Sequence, residues 1–146
     1  MELYTLGIDL SKNYFQLHGV DRGNRPVLRK RLPRSKFIEY IPQIPKCRIV
    51  MEAGTAAHYW ARLLQSHGHE VKLIAPQFVK AFLKSNKNDA NDAEAIAIAS
   101  THPSMRYISI KAAWQVELQS LIRIRSRIVG NRVQLTNSIR GHLLEY

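Results

Sequence analysis

Short runs of β-forming residues, separated by turns, fill the first third of the chain and restrict its fold more than any other feature. Three such runs cover residues 3–10, 14–20 and 27–32, and Pro33 ends the third. The links at 11–13 and 21–24 are short and rich in turn-forming residues. Because links this short usually join neighbouring strands, the sequence predicts a three-stranded antiparallel meander at the start of the fold.

In the middle of the chain, the spacing of the apolar residues alternates between that of a helix and that of a strand. In chain order we predict a helix at 35–41 capped by Ser35, a strand at 48–51, a helix at 56–66, a strand at 70–75 and a helix led by Pro76. A meander followed by parallel strands with helical crossovers is an α/β arrangement. This order predicts a ribonuclease-H-like, resolvase-like fold with a mixed five-stranded sheet and flanking helices.

The last forty residues follow a single helical period. From residue 111 onward there is no proline, and apolar residues recur at three- and four-residue steps among several arginines. This pattern predicts a long basic amphipathic helix, or a helical hairpin broken near Gly130 and Asn131. A long helix with little sequence to pack on usually finds a partner. We therefore predict a catalytic domain at 1–105 and a helical segment for oligomerisation and nucleic-acid binding at 106–146.

The charge of the chain indicates a polyanionic partner. Lysine and arginine number 22 against 11 acidic residues, a formal net charge of +11. This balance favours nucleic acid or an anionic membrane surface. No apolar stretch approaches the roughly 20 residues that span a bilayer, and the first residues do not resemble a secretory signal. We therefore expect a cytoplasmic protein that binds nucleic acid. Cys47, the single cysteine, is interpreted as a small buried hydrophobic residue rather than a catalytic thiol.

Four acidic residues occupy positions that are costly without a partner. Asp9 and Glu52 each end an apolar run, and Asp89 and Asp92 stand three residues apart where a helix is predicted to begin. Taken singly, each has an ordinary structural interpretation, as a strand-end, solvent-facing or helix-capping residue. Taken together, they predict a shared site for divalent metal, because carboxylates suit Mg²⁺ or Mn²⁺. Two such ions, about 4 Å apart, would stabilise an in-line phosphoryl displacement.

Three blocks of sequence carry a resemblance to a known family. They are GIDLSK at 7–12, MEAGT at 51–55 and KNDANDA at 87–93, and they resemble the DEDD-type insertion-sequence transposases. That family includes the Piv-like DNA invertases and the bridge-RNA-guided recombinases. The resemblance covers essentially the whole chain, including the helix that contains Tyr59 and Trp60 and the basic helical tail.

The resemblance implies a function for the acidic residues. It implies a ribonuclease-H-like catalytic domain, similar to that of Holliday-junction resolvases, with the DEDD acids at Asp9, Glu52, Asp89 and Asp92. It also implies site-specific recombination of double-stranded DNA in a prokaryotic nucleoid, in some members directed by a structured noncoding RNA. Family members oligomerise partly through the helical segment that follows the acidic domain.

One departure from the family limits this expectation. Family members are about twice as long, and their C-terminal domain supplies a serine that is thought to attack DNA. The sequence ends at Tyr146, and none of its serines lies in a matching context. We therefore expect this chain alone to be unable to complete strand exchange. Two alternatives stay open: a stand-alone resolvase-like nuclease, and a non-catalytic module that binds nucleic acid and dimerises.

The basic residues predict where phosphates are contacted. The candidates are Arg29, Lys30, Arg31, Lys80, Lys84, Lys87, Arg123, Arg125, Arg127 and Arg132. The pair His67 and His69 around Gly68 has no further ligands nearby, so we interpret it as an exposed helix end rather than a metal site. Trp60 and Trp114 lie at helical positions and are interpreted as core or interface residues.

Overall fold

The computed structural model describes residues 2–54, 56–82 and 89–146, and at residues 89 and 90 it describes the backbone only. The chain divides into two compact units, Met1–Ile110 and Lys111–Tyr146. Residues 106–110, which the sequence assigned to the helical segment, therefore belong to the first unit. That unit contains the sheet, and the second is built on one helix.

The sheet of the first unit has six strands in the described residues. They are β1 (Thr5–Leu10), β2 (Tyr14–Val20), β3 (Pro26–Pro33), β4 (Arg48–Glu52), β5 (Glu70–Ile74) and β6 (Tyr107–Ile108), in the spatial order β3-β2-β1-β4-β5-β6. Strands β1 to β3 form the predicted antiparallel meander. Strands β4 and β5 run parallel to β1, and β6 pairs antiparallel with β5. This mixed order is that of a ribonuclease-H-like α/β fold.

The helices follow the order that the sequence predicted. They are α1 (Arg34–Tyr40), α2 (Ala57–Ser66), α3 (Pro76–Val79), α4 (Asp89–Ala99) and α5 (Ala113–Leu143), with short 3-10 turns at Ile41–Gln43 and Lys80–Phe82. Pro76 occupies the first turn of α3, where its missing N–H costs nothing. Gly68, with φ of +83°, follows the end of α2 in the left-handed conformation that glycine adopts at helix ends.

Two apolar layers cover opposite faces of the sheet, because successive strand side chains point to opposite sides. On one face α1 and α2 pack over Leu6 and Ile8 of β1. Phe15, Phe37 and Trp60 meet there edge to face, with ring centroids 4.9 to 5.5 Å apart. On the other face α3 and α4 cover Val50 and Ile74. Trp60 is thus a core residue, as its helical position predicted.

Three details differ from the sequence-based expectation. The sheet has six strands rather than five, because β6 contains only two residues and two residues show no periodicity. Helix α1 begins at Arg34 and makes no side-chain cap, so Ser35 does not cap it. Helix α5 continues through Gly130 without a hairpin, since a single glycine costs a helix only about 1 kcal/mol.

Helix α5 forms nearly all of the second unit. It spans 31 residues, and none of its side chains is buried. Of the helices that the structure describes, none has the length and apolar character needed to cross a membrane. Gln115 caps its start by accepting a hydrogen bond from the Ala112 N–H at 2.9 Å. The apolar side chains of α5 therefore lie on a surface rather than in a core.

Candidate active site

Asp9 and Glu52 lie side by side at the carboxyl ends of two neighbouring parallel strands. The register pairs Ile8 of β1 with Met51 of β4, so the next position on each strand is an acid. Adjacent strands are separated by about 4.8 Å. Gly7 and Val50 face α4. Asp9 and Glu52 each come two residues later on the same strand, so they lie on the same face of the sheet. Both are half-buried, and each has an interaction partner.

Gly7 brings α4 into backbone contact with the strand that carries Asp9. A Cβ at Gly7 would lie 2.4 Å from the carbonyl oxygen of Ala93 and 2.8 Å from the amide nitrogen of Ala97. Only glycine permits this approach, because backbone atoms cannot rotate away as a flexible side chain can. The contact fixes the first half of α4 over β1, and Asp92 is the residue immediately before Ala93.

Asp92 carries a buried oxygen that lacks a partner. Its Oδ1 atom is inaccessible to solvent and makes no hydrogen bond in the described part of the chain. Burying an unpaired carboxylate oxygen is unfavourable, and such an atom is normally satisfied by a donor or a cation. A divalent ion would satisfy it, so the residues present fit a metal in this one respect.

The described side chains do not by themselves complete a metal site. Among them, no group of three or more His, Cys, Asp or Glu residues is close enough to hold one ion. Asp89 begins α4, but its side chain lies outside the described atoms. The structure thus makes Asp9 and Glu52 neighbours and seats the Asp92 helix on the same sheet face. The described side chains of Asp9, Glu52 and Asp92 do not form one cluster.

The basic residues of β3 lie on two faces of the sheet. Arg29 approaches Glu94 of α4 with 3.7 Å between Nη2 and Oε2, on the α4 face. Lys30 turns the other way, with its Nζ atom 3.9 Å from the ring centroid of Tyr40. Arg31 pairs in register with Gln16, and Gln16 pairs with Asp9. Arg31, Gln16 and Asp9 therefore lie side by side across three neighbouring strands, from the edge of the sheet to its centre.

The other predicted phosphate contacts are dispersed. Lys80 is exposed in the 3-10 turn after α3, while Lys84 and Lys87 lie outside the described residues. On α5, Arg123 and Arg127 are one turn apart and share a face. Arg125 and Arg132 lie two turns apart on the opposite side, among the apolar residues. The four arginines of α5 therefore do not form a single basic surface.

The structure also describes the cysteine and the histidine pair that the sequence analysis interpreted as structural residues. Burial raises the pKa of the Cys47 thiol to about 11, which opposes any role as a nucleophile. His69 is buried rather than exposed, which corrects the expectation for this pair. Burial and the nearby Lys46 lower its pKa, and its Nδ1 has no partner among the described atoms. His67 lies differently, with Nδ1 2.9 Å from the carbonyl oxygen of Leu63.

The site and fold define a class of ribonuclease-H-like proteins with acidic residues at the ends of the central strands. A family model described as a transposase, for the DEDD type of insertion sequence IS110, matches residues 6–146. The chain belongs to this transposase family. The resemblance expected from three short blocks of sequence is thereby confirmed.

Individual relatives agree with this assignment. A Pseudomonas aeruginosa protein named "Probable family 20 transposase" is 50% identical over 100% of this chain and 43% of its own length. The transposase for insertion sequence element IS1328 of Yersinia enterocolitica is 42% identical over 97% of this chain and 42% of its own. The transposase for insertion sequence element IS1111A of Coxiella burnetii is 40% identical over 99% of this chain and 40% of its own length. The chain spans about two fifths of the length of these curated relatives.

Among solved structures, T. thermophilus RuvC in complex with a Holliday junction substrate is similar to this chain. The match has a TM-score of 0.48 and 13% sequence identity, and it covers 73% of this chain and 100% of RuvC.

Proposed function

We propose that this chain is the catalytic, metal-binding part of a transposase that performs phosphodiester chemistry on DNA. Asp9, Glu52, Asp89 and Asp92 would hold two Mg²⁺ or Mn²⁺ ions. Membership of the transposase family supports the reaction class. The full reaction of the relatives belongs to proteins more than twice this length, so the proposal concerns the segment that they share with this chain.

The observation that carries the proposal is the buried Oδ1 atom of Asp92, which has no partner among the described atoms, on the sheet face of two adjacent acids. On neighbouring strands, Asp9 and Glu52 each follow a member of the last register pair, Ile8 and Met51, and the Gly7 contact holds the Asp92 helix over that face. All four ligands would be carboxylates, which suit hard ions such as Mg²⁺. The ions, when bound, would polarise the scissile phosphate and stabilise the attacking and leaving oxygens.

The chain's own residues would position and neutralise the DNA strand. Asp9 and Glu52 stand on central strands, which hold their carboxylates rigidly. Arg31 lies on the same register row as Asp9, two strands away, where its positive charge would attract a backbone phosphate. Lys80 would contribute a further phosphate contact from the exposed turn after α3.

Helix α5 would bring copies of the chain together. Trp114, Leu121, Ile128 and Leu135 repeat every seven residues, and all four are more than half exposed. A seven-residue apolar repeat on an exposed helix is typical of coiled-coil contacts. We therefore propose a homo-oligomer that forms through this stripe. Arg123 and Arg127, on the other side of α5, would stay available for nucleic acid.

A structured noncoding RNA is proposed as a second partner. The net charge of +11 supports binding of either nucleic acid, and the proposal of a guide follows the resemblance to RNA-guided recombinases. An enzyme that acts on chromosomal DNA would work at the nucleoid. If the chain binds no structured RNA under conditions where it binds DNA, the guided version is wrong.

The experiment compares DNA affinity in Ca²⁺ with DNA affinity in EDTA, by fluorescence anisotropy. Ca²⁺ supports binding at carboxylate sites, so we expect affinity to rise by about tenfold, or about 1.4 kcal/mol. Asp9→Asn and Asp92→Asn should abolish the increase. Glu39→Gln, on the exposed surface of α1, serves as the matched control and should retain it. An increase that persists in both Asn variants would contradict the proposal.

The nuclease alternative is tested in the same preparation. In Mn²⁺, cleavage of branched DNA by this chain alone, lost in Asp9→Asn, would support water activation by the same acids. Inert behaviour toward every DNA form would rule that alternative out. If the unsubstituted chain binds DNA but binds no divalent metal, the result would instead favour the non-catalytic module.

A further inference from the structure

An aromatic and basic groove lies at the same end of the sheet as the acids. It measures about 590 Å³, and its lining includes Lys12, Tyr14, Arg34, Ile38, Tyr59 and Trp60. Lys12 lies three residues beyond Asp9, in the turn between β1 and β2. Tyr59 lies in the first turns of α2, the helix that follows Glu52. Strand β1 thus connects the groove to one acid, and the β4–α2 link connects it to the other.

Hydrogen bonds in the β1–β2 turn and the buried Trp60 form two sides of the groove. The Ser11 hydroxyl donates to the carbonyl of Tyr14 and accepts from its N–H, which closes the β1–β2 turn. The Arg34 N–H donates to the Asn13 carbonyl at 2.9 Å and ties α1 to the same turn. Trp60 is buried beneath, with the Arg34 guanidinium 5.5 Å from its ring centroid. These contacts order the backbone of the β1–β2 turn and the start of α1, which form one side of the groove.

The groove combines exposed apolar side chains with cations that no described carboxylate neutralises. Tyr14, Ile38 and Tyr59 are 42%, 51% and 49% exposed, and the Tyr59 ring lies 5.3 Å from that of the buried Trp60. In the described part of the chain, neither Lys12 nor Arg34 forms an ion pair. The cavity at the other end of the sheet differs, because the carboxylates of Glu2 and Glu70 line it and Glu70 pairs with Arg48 at 3.2 Å, whereas the lining of the groove contains no carboxylate. An unneutralised cation beside an exposed aromatic ring suits a ligand with both phosphates and flat bases.

We propose that this groove binds unpaired nucleotides of single-stranded DNA, with a base stacked on Tyr59 and the flanking phosphates on Arg34 and Lys12. Proteins that hold single strands combine a positively charged groove with aromatic stacking surfaces. Duplex DNA buries its base faces, so the rings of the groove recognise unpaired bases. The inference rests on the proposed function, because it places a DNA strand at the same end of the sheet as the acids that act on DNA.

The test measures binding of a labelled twelve-nucleotide DNA by the full chain in EDTA, so that the acids and their metal play no part. Tyr59→Ala should weaken binding by about tenfold, since stacking accounts for much of single-strand affinity. Tyr59→Phe retains the ring and should stay within about twofold of the unsubstituted chain. Tyr4→Ala is the matched control, because Tyr4 is 42% exposed against 49% for Tyr59 and lies at the opposite end of the sheet.

A charge substitution tests the second half of the proposal. Arg34→Gln should reduce the slope of log affinity against log salt by about 0.7, the loss of one phosphate contact on a single strand. Arg22→Gln, at the opposite end of the sheet, is the control and should leave the slope unchanged. Circular dichroism of every variant establishes that the fold is retained.

Three results would overturn the inference. They are equal losses in Tyr59→Ala and Tyr4→Ala, a Tyr59→Phe variant as weak as Tyr59→Ala, or an equal loss of duplex binding in Tyr59→Ala. Tighter binding of the matching RNA oligonucleotide, lost in Tyr59→Ala, would reassign the groove to RNA and likewise overturn it. Because the assay contains no metal, a failed groove and a failed metal site give separate results.

Discussion

Helices α2 and α5 carry the same kind of apolar pattern and differ in what covers it. In α2, Trp60, Ala61 and Leu64 recur at helical spacing and are buried against the sheet. In α5, Trp114 and Leu118 recur at the same spacing, and Trp114 is 63% exposed against 1% for Trp60. An amphipathic pattern therefore predicts a helix and its apolar face, but it does not predict what will cover that face.

The difference concerns energy as well as geometry. Each large apolar side chain that is buried in the first unit gains roughly 1.5 to 3 kcal/mol by leaving water. The apolar side chains of α5 gain little of this within the chain, so a long exposed helix needs a partner. The two tryptophans provide a matched pair on which this contrast can be measured.

The largest expected effect comes from removing the buried tryptophan. Trp60→Ala should lower the free energy of unfolding by about 3 to 5 kcal/mol, because it leaves a cavity and removes edge contacts with Phe15 and Phe37. Trp114→Ala should change it by about 0.5 kcal/mol or less. Urea unfolding, followed by circular dichroism at low protein concentration, measures both. Equal losses would show that the two helices are covered alike.

A glycine pair gives the next largest contrast. Gly7→Ala should cost about 3 kcal/mol, since its Cβ would meet the backbone of α4, which must move and carry Asp92 with it. Gly130→Ala should stabilise α5 by up to about 1 kcal/mol, because open space surrounds that position. Thermal unfolding of the two variants checks the opposite signs. A harmless Gly7→Ala would mean that α4 is not seated on β1.

Arginines within the apolar stripe of α5 should weaken its association. Replacing Arg125 and Arg132 together by leucine should tighten self-association by about tenfold, because two charges no longer need to be desolvated. The matched pair Arg123→Leu and Arg127→Leu lies on the other side of the helix and should have little effect. Sedimentation equilibrium measures the dissociation constants. Similar gains for both pairs would place the contact elsewhere.

The last comparison uses thiol reactivity, which reports burial and leaves the stability of the fold nearly unchanged. With a pKa of about 11, Cys47 should react with iodoacetamide at pH 8 about a hundredfold more slowly than a cysteine introduced by Ser138→Cys in α5. Both thiols are present in that variant, so mass spectrometry of the two peptides compares them directly. Cys47 is expected to be the slower thiol because only the thiolate reacts, and a raised pKa lowers the thiolate fraction at pH 8. Equal rates would show that Cys47 is not protected.

The sequence predicted the elements that have a clear period or punctuation. The meander, the two parallel strands and the helix led by Pro76 were all predicted, because turn residues and alternation mark them locally. Strand β6 was missed because pairing with β5 across the sheet, rather than its own two residues, creates it. For the tail the sequence left a long helix and a hairpin broken near Gly130 open, and the long helix is confirmed, since the remaining helix formers of α5 outweigh one glycine.

Prediction of the site divided along similar lines. The acids were found because a charge that ends an apolar run is conspicuous in any sequence. The groove was not found, because Lys12, Arg34 and Tyr59 come from three separate segments that only the fold brings together. The function of Gly7 was equally hidden, since its contact with Ala93 joins residues far apart in the chain.

The central claim is that the acids bind divalent metal, and a Mn²⁺ titration followed by electron paramagnetic resonance tests it most directly. We predict that the chain binds two ions, and that Asp9→Asn and Asp92→Asn each lower the affinity by at least about tenfold, or about 1.4 kcal/mol. The control Glu39→Gln should titrate like the unsubstituted chain. Unchanged Mn²⁺ binding in both Asn variants would contradict the account.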